Sequence, residues 1–210
     1  MKNRDLLVYF LTILLISAFG SLQSCRPDET LDYKPNIYLY PLSKSQVDVK
    51  ISFPSGGEVT TSIPAYKNGW KVNVDTTGII NNQYGYLFYE SRQPNNWQLK
   101  KGWVIRQKEL NDFFVSNLSS YGFKGKEIND FTEYWLPRLK KSAFYKIYPQ
   151  EAVIVDKIIR LTVSPKPDHM LRLHYVIKET NEPTNNLDIP PTPPTFKRQG
   201  FYITEWGVIL

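Results

Sequence analysis

The sequence predicts an α+β fold: a mainly antiparallel sheet or sandwich, with two consecutive helices packed on one side of it. Three observations carry this reading. Short β-rich runs cut by Gly, Pro and Asn turns fill residues 36–107. Apolar residues then recur at helical spacing across 110–141, and β-rich runs resume from 143. An early block of strands followed by a helical insert and more strands is the pattern of an α+β domain.

Taken in order, "NIYLYP" (36–41) and "QVDVKISF" (46–53) read as strands joined by the turn "PLSKS". "PSGGE" (54–58) and "YKNGW" (66–70) are turn signals, and Asn68-Gly69 predicts a tight hairpin corner. "WKVNVD" (70–75), "YGYLFYE" (84–90) and "GWVIRQ" (102–107) are further strands. In "ELNDFFVSNLSSYG", Leu110, Phe113, Phe114, Leu118 and Tyr121 form one helical stripe, and Gly122 stands where a helix end favours a left-handed residue. "KEINDFTEYWLPRLKK" repeats the stripe with Ile128, Phe131, Trp135 and Leu139, and Pro137 kinks or ends it. Arg138, Lys140 and Lys141 suit the negative pole of that helix.

"AFYKIY", "AVIVDKIIRLTV" and "MLRLHYVIK" read as strands, the last two as a hairpin across "SPKPDHM". Pairing Val163 with Leu171, Leu161 with Leu173 and Ile159 with Tyr175 keeps the apolar side chains on one face. The other face then presents Arg160, Arg172 and His174 as a small basic patch, either a solvated surface or a site for an anionic ligand. Residues 181–200 are Pro-rich without a hydrophobic period and predict an extended surface loop, before "FYITEWGVIL" closes the chain as a strand.

The N-terminus has its own logic. Lys2 and Arg4 form a basic head, and the apolar run 6–19 is 14 residues long. That is short of the roughly 20 a helix needs to cross a bilayer, and it has the form of an export signal. "LQSC" (22–25) resembles a bacterial lipobox, which implies cleavage before Cys25 and acylation of that residue. Two or three acyl chains anchor stably where one is marginal. Cys25 is the only cysteine, so it can form no intramolecular disulfide. The expected division is a signal peptide at 1–24, an acylated tether at 25–33 and a single α+β domain at 34–210. The lipobox resemblance implies a lipid-anchored protein of the bacterial cell envelope; the expected place is the outer membrane, and the expected partners are the membrane and a glycan or envelope protein.

Composition narrows the function classes. A formal charge of +6 is mildly basic and calls for no nucleic acid. The 11 Phe, 14 Tyr and 5 Trp suit both strand packing and glycan binding. No HExxH, CxxC, GxSxG or phosphate-binding glycine loop occurs, so no cofactor or metal is implied. The candidate catalytic residues are Glu90 and Glu205, each on the aromatic face of a strand, where a carboxylate must be paired or protonated. Two such groups amid aromatics could serve as the acid and the nucleophile or base of a glycosidase. Alternatively, each is tied to an arginine, with Arg92, Arg106, Arg138 and Arg172 available. Two functions stay open: a non-catalytic glycan- or protein-binding module, or an envelope glycan hydrolase.

In order along the chain, "KPNIYLYP", "NGWKV", "YGYLFYE", "YWLPR", "PKPD" and "FYITEWG" together resemble a family of secreted bacterial proteins marked by a KPxIYLYP start and an EWGG-like end. Val208 stands where that family carries its second glycine. The resemblance implies one intact domain and carries over no catalytic residue.

Overall fold

Three strands alternate cleanly between buried and exposed side chains: β2 (Ser45–Ser52), β4 (Trp70–Val74) and β8 (Arg160–Ser164). That period is the mark of a sheet with one face in a core and the other in water. They form a small antiparallel sheet in the order β4-β2-β8. In the computed structural model, which describes residues 28–184, 186–190 and 192–210, this sheet covers one face of a larger one.

The larger sheet has the order β3-β5-β1-β10-β9-β7-β6. Its strands are β1 (Glu29–Tyr40), β3 (Glu58–Ile63), β5 (Leu87–Pro94), β6 (Trp103–Arg106), β7 (Phe144–Glu151), β9 (His169–Thr180) and β10 (Tyr202–Ile209). All pairs are antiparallel except β9 with β10. Helices α1 (Leu110–Tyr121) and α2 (Lys126–Trp135) cover its second face. The fold is therefore α+β, mostly antiparallel, with two consecutive helices packed together, in layers of small sheet, large sheet and helix pair.

Both faces of the central sheet are apolar for that reason. Ile37, Leu39, Leu87, Tyr89 and Ile203 pack toward the small sheet. Tyr38, Leu173, Tyr175, Trp206 and Val208 pack toward the helices with Phe114, Leu118, Phe131 and Trp135. The expected stripes of both helices face this core. Gly122 ends α1 at a φ of 109°, and its N–H reaches the carbonyls of Leu118 and Ser119. Beyond α2, Arg138 donates to the Tyr134 carbonyl at 2.6 Å, as the dipole argument expects.

The structure corrects several local expectations. Residues 152–158 form a helix, α3 (Ala152–Ile158), where the β-branched run predicts a strand. Val155 and Ile158 supply its buried side, and tertiary burial overrides propensity. Strands β8 and β9 do not form a hairpin: β8 pairs with β2 in the small sheet, while β9 lies between β10 and β7. Asn68-Gly69 is likewise no hairpin corner, because it leads from β3 in one sheet to β4 in the other. Strand β3 itself is a polar edge that the pattern hides. The chain is strand from Glu29, so the second half of the expected 25–33 tether belongs to the sheet. The Pro-rich stretch 181–200 is the long connection that parallel neighbours require, carrying the chain from the end of β9 to the start of β10. The signal 1–24 and Cys25 lie outside the described residues.

Candidate functional site

The two candidate catalytic glutamates do not meet. Glu90 shares a face of β5 with Phe88, toward the helix side, and is half-buried. Glu205 shares a face of β10 with Ile203, toward the small sheet, and is fully buried. Alternation of side chains puts them on opposite faces of one sheet. Burial raises the Glu90 carboxyl, only partly countered by Lys34.

Glu205 instead belongs to a sealed ionic network. Arg172 Nε donates to Glu205 Oε2, and Arg172 Nη1 donates to Asp156 Oδ1 and, at 2.7 Å, to the Ile159 carbonyl. Tyr89 donates to Glu205 Oε1 at 2.8 Å. His174 Nδ1 lies 2.8 Å from Asp32 Oδ2, and its Nε2 lies 3.7 Å from Glu205 Oε1. The Trp97 ring stacks on the imidazole at 6.1 Å. Burial alone would pull His174 down, but Asp32 and Glu205 together push it up to about 9. Burial would raise Glu205, but Arg172 and His174 hold it well below the usual carboxylate range. Burial raises the Asp32 carboxyl and His174 pulls it back down, so that two buried acids face two buried bases. Arg172, His174, Glu205 and Asp32 have no exposed side-chain surface, so the network ties β1, β5, β9, β10 and α3 together and offers nothing to a substrate.

This also corrects the basic patch. Arg172 and His174 do alternate away from Leu171 and Leu173, but that face meets a second core rather than water. Arg160 is exposed on β8 in the other sheet, away from both. Sequence reasoning missed Asp32 and a second buried acid, Glu127. Glu127 accepts from Arg198, from Thr204 at 2.8 Å and from the Lys124 N–H at 2.8 Å, so it fastens α2 to β10 and to the crossover. Asp32, between Leu31 and Tyr33, carried a signal in its apolar neighbours, whereas Glu127, between Lys126 and Ile128, carried none. No group of three or more His, Cys, Asp or Glu able to hold a metal ion occurs among the described residues.

The site with access to solvent lies on the helix side. Between Tyr33 and Asn36 the register of β1 shifts by a bulge, and Lys34 takes a φ of 56° there. A left-handed backbone is uncommon for a residue with a side chain and gathers at functional sites. The bulge sends Lys34 Nζ to within 4.6, 4.7 and 5.2 Å of the ring centres of Tyr86, Phe88 and Tyr134. It also donates to Tyr86 Oη at 3.1 Å and to Asn36 Oδ1 at 3.3 Å. Lys34 and the three rings, with Tyr84 and Lys126, line an open cleft of about 550 Å³. Gly85 keeps it open, since a Cβ there would stand 2.9 Å from Lys126 Cε. Lys126 Nζ is held by both Asp130 oxygens at 2.7 Å, and Tyr38 donates to Asp130 at 2.9 Å from below. "KPNIYLYP", "YGYLFYE" and "YWLPR", distant in sequence, converge on this cleft.

The negative faces of the rings are thus already met by an internal ammonium. A ligand cation would find its place taken. What remains is aromatic surface, tyrosine hydroxyls and positive charge, which fits a ligand rich in hydroxyl or acidic groups.

Comparison with protein-family models, with characterised proteins and with solved structures gives no match to this chain.

Proposed function

We propose that this protein is a non-catalytic glycan-binding module of the bacterial cell envelope, held to the membrane through acylated Cys25. The observation that carries the binding half is the cleft around Lys34. The part-exposed rings of Tyr84, Tyr86 and Phe88 offer apolar surface beside the ammonium for a sugar ring, while Tyr134 is itself stacked by Arg138 at 3.6 Å. Lys34 and the tyrosine hydroxyls stand ready for sugar hydroxyls and carboxylates, while Lys126 is held by Asp130. The hydrolase reading loses its residue pair, because Glu205 is sealed against Arg172 and Glu90 stands across the sheet.

Calorimetric titration with neutral and uronic-acid-bearing oligosaccharides tests the binding half. Tyr84→Ala should weaken binding on the order of tenfold without loss of fold, as a truncated aromatic anchor does. A wild-type protein that binds none of the oligosaccharides overturns the glycan reading. For the anchor, Cys25→Ser should leave unprocessed precursor. Normal cleavage and unchanged detergent partitioning of that variant would overturn it.

A further inference from the structure

We infer that the protein has a second working surface: a membrane-docking face at the end of the domain from which the chain leads toward Cys25. This inference rests on the anchored reading above. The N-terminal end of the described chain is fixed in place, since the Asn95 N–H donates to the Asp28 carbonyl at 2.7 Å and its side chain to Asp28 Oδ2 at 2.9 Å. Trp97 Nε1 donates to Thr30 Oγ1 at 3.1 Å. Cys25 is three residues before Asp28, a reach of at most about 10–11 Å. A bilayer holding acylated Cys25 therefore comes up against the 95–101 loop.

That loop is built for such a neighbour. Leu99 is 37% exposed and lines an apolar cleft of about 560 Å³ with Trp97, Pro149, Val153 and Ile154. Val153, on α3, is 64% exposed. Ile189 is 87% exposed, and the adjacent Asp188 is bonded to the backbone of Lys100 and Gly102. Exposed Lys100 and Lys101 follow Leu99 directly, and exposed Lys157 lies one turn along α3 from Val153. Apolar side chains flanked by Lys100, Lys101 and Lys157, with Glu151 and Asp156 as the acids on the same side, match an interface of acyl chains below and headgroups around. Leu210, 58% exposed, stands at the same end, directly after Ile209, which pairs with Asp32. Leu42, 76% exposed, follows the far end of β1, twelve residues or roughly 40 Å of strand away.

The test uses the full chain as the envelope processes it, in vesicles of phosphatidylethanolamine with about a quarter phosphatidylglycerol. An environment-sensitive fluorophore is placed in turn at L99C, V153C, I189C and L42C, with a nitroxide-bearing lipid as quencher. The labels at 99, 153 and 189 should shift to the blue and be quenched, and the label at 42 should stay in water. L99E combined with V153E, both at exposed positions, should reduce quenching at 189 about tenfold with unchanged thermal stability, and high salt should weaken it. Labels at 99, 153 and 189 that remain in water at vesicle excess overturn the docking face. Mass spectrometry of the same preparation reads acylation of Cys25 separately. An unacylated Cys25 with quenched labels removes the anchor and keeps the face, and an acylated Cys25 with unquenched labels does the reverse.

Discussion

Gly207 lies against His174 so closely that a Cβ on the glycine would sit 2.9 Å from the imidazole Nδ1 and 2.9 Å from Asp32 Oδ1. The glycine of "FYITEWG" is therefore the room in which the Asp32–His174 ion pair stands. Gly207→Ala should push the pair apart and cost roughly 1–3 kcal/mol by overpacking. Chemical denaturation at pH 7 measures it, and a stability equal to wild type would show that the pair has slack.

The His174 pair makes stability depend on pH on the alkaline side. Its folded pKa of about 9 lies above the ordinary value of 6.5, so the charged imidazolium stabilises the fold fully below about pH 6.5. That contribution falls as pH rises toward and through 9, by on the order of 3 kcal/mol in all. Denaturation midpoints taken from pH 6 to 9.5 should decline, and His174→Gln should flatten the decline while lowering the whole curve.

Glu205 acts on the acid side. Its folded pKa lies below the unfolded value, so its contribution is present above about pH 4.5 and is lost as pH falls below that. Arg172→Met should cost about 3–5 kcal/mol by leaving Glu205 buried and uncompensated. Arg172→Met combined with Glu205→Gln should cost less than the sum of the single changes. Additive losses in that double-mutant cycle would mean that the two side chains do not depend on each other.

Trp135 is 1% exposed in the helix-side core, one ring away from Tyr134 at 5.0 Å. Trp135→Ala should cost about 3–5 kcal/mol through lost burial and a cavity. Tyr134→Ala, on the cleft, should cost far less. The contrast between neighbouring rings is read from thermal melts of the two variants.

The periodicities of the chain were legible, and the layers were not. The period of two in "QVDVKISF" and "WKVNVD" and the helical stripe through Leu110, Phe114 and Leu118 are local properties of the chain, and the structure keeps them. Which strands pair is not local. Leu161 and Leu173 satisfy a hairpin register as well as they satisfy two separate sheets, and only the second sheet decides between them. The same fact hid the buried network. Polar Arg172 and His174 alternating with Leu171 and Leu173 read as a water-facing side, until a small sheet on that side makes it a core. The binding cleft was half legible. Its aromatic strings stand out in the sequence, but the role of Lys34 comes from a bulge and a left-handed backbone that no periodicity announces.

Strand β10 is last in chain order, yet it fills the slot between β1, the first, and β9. Until β10 inserts, β1 and β9 each present an open sheet edge, and unpaired edges invite other strands. Buried Asp32, His174 and Arg172 likewise wait for Glu205 on that strand before their charges balance. The same strand thus supplies both the joining hydrogen-bond ladder and the counter-charge of the buried network.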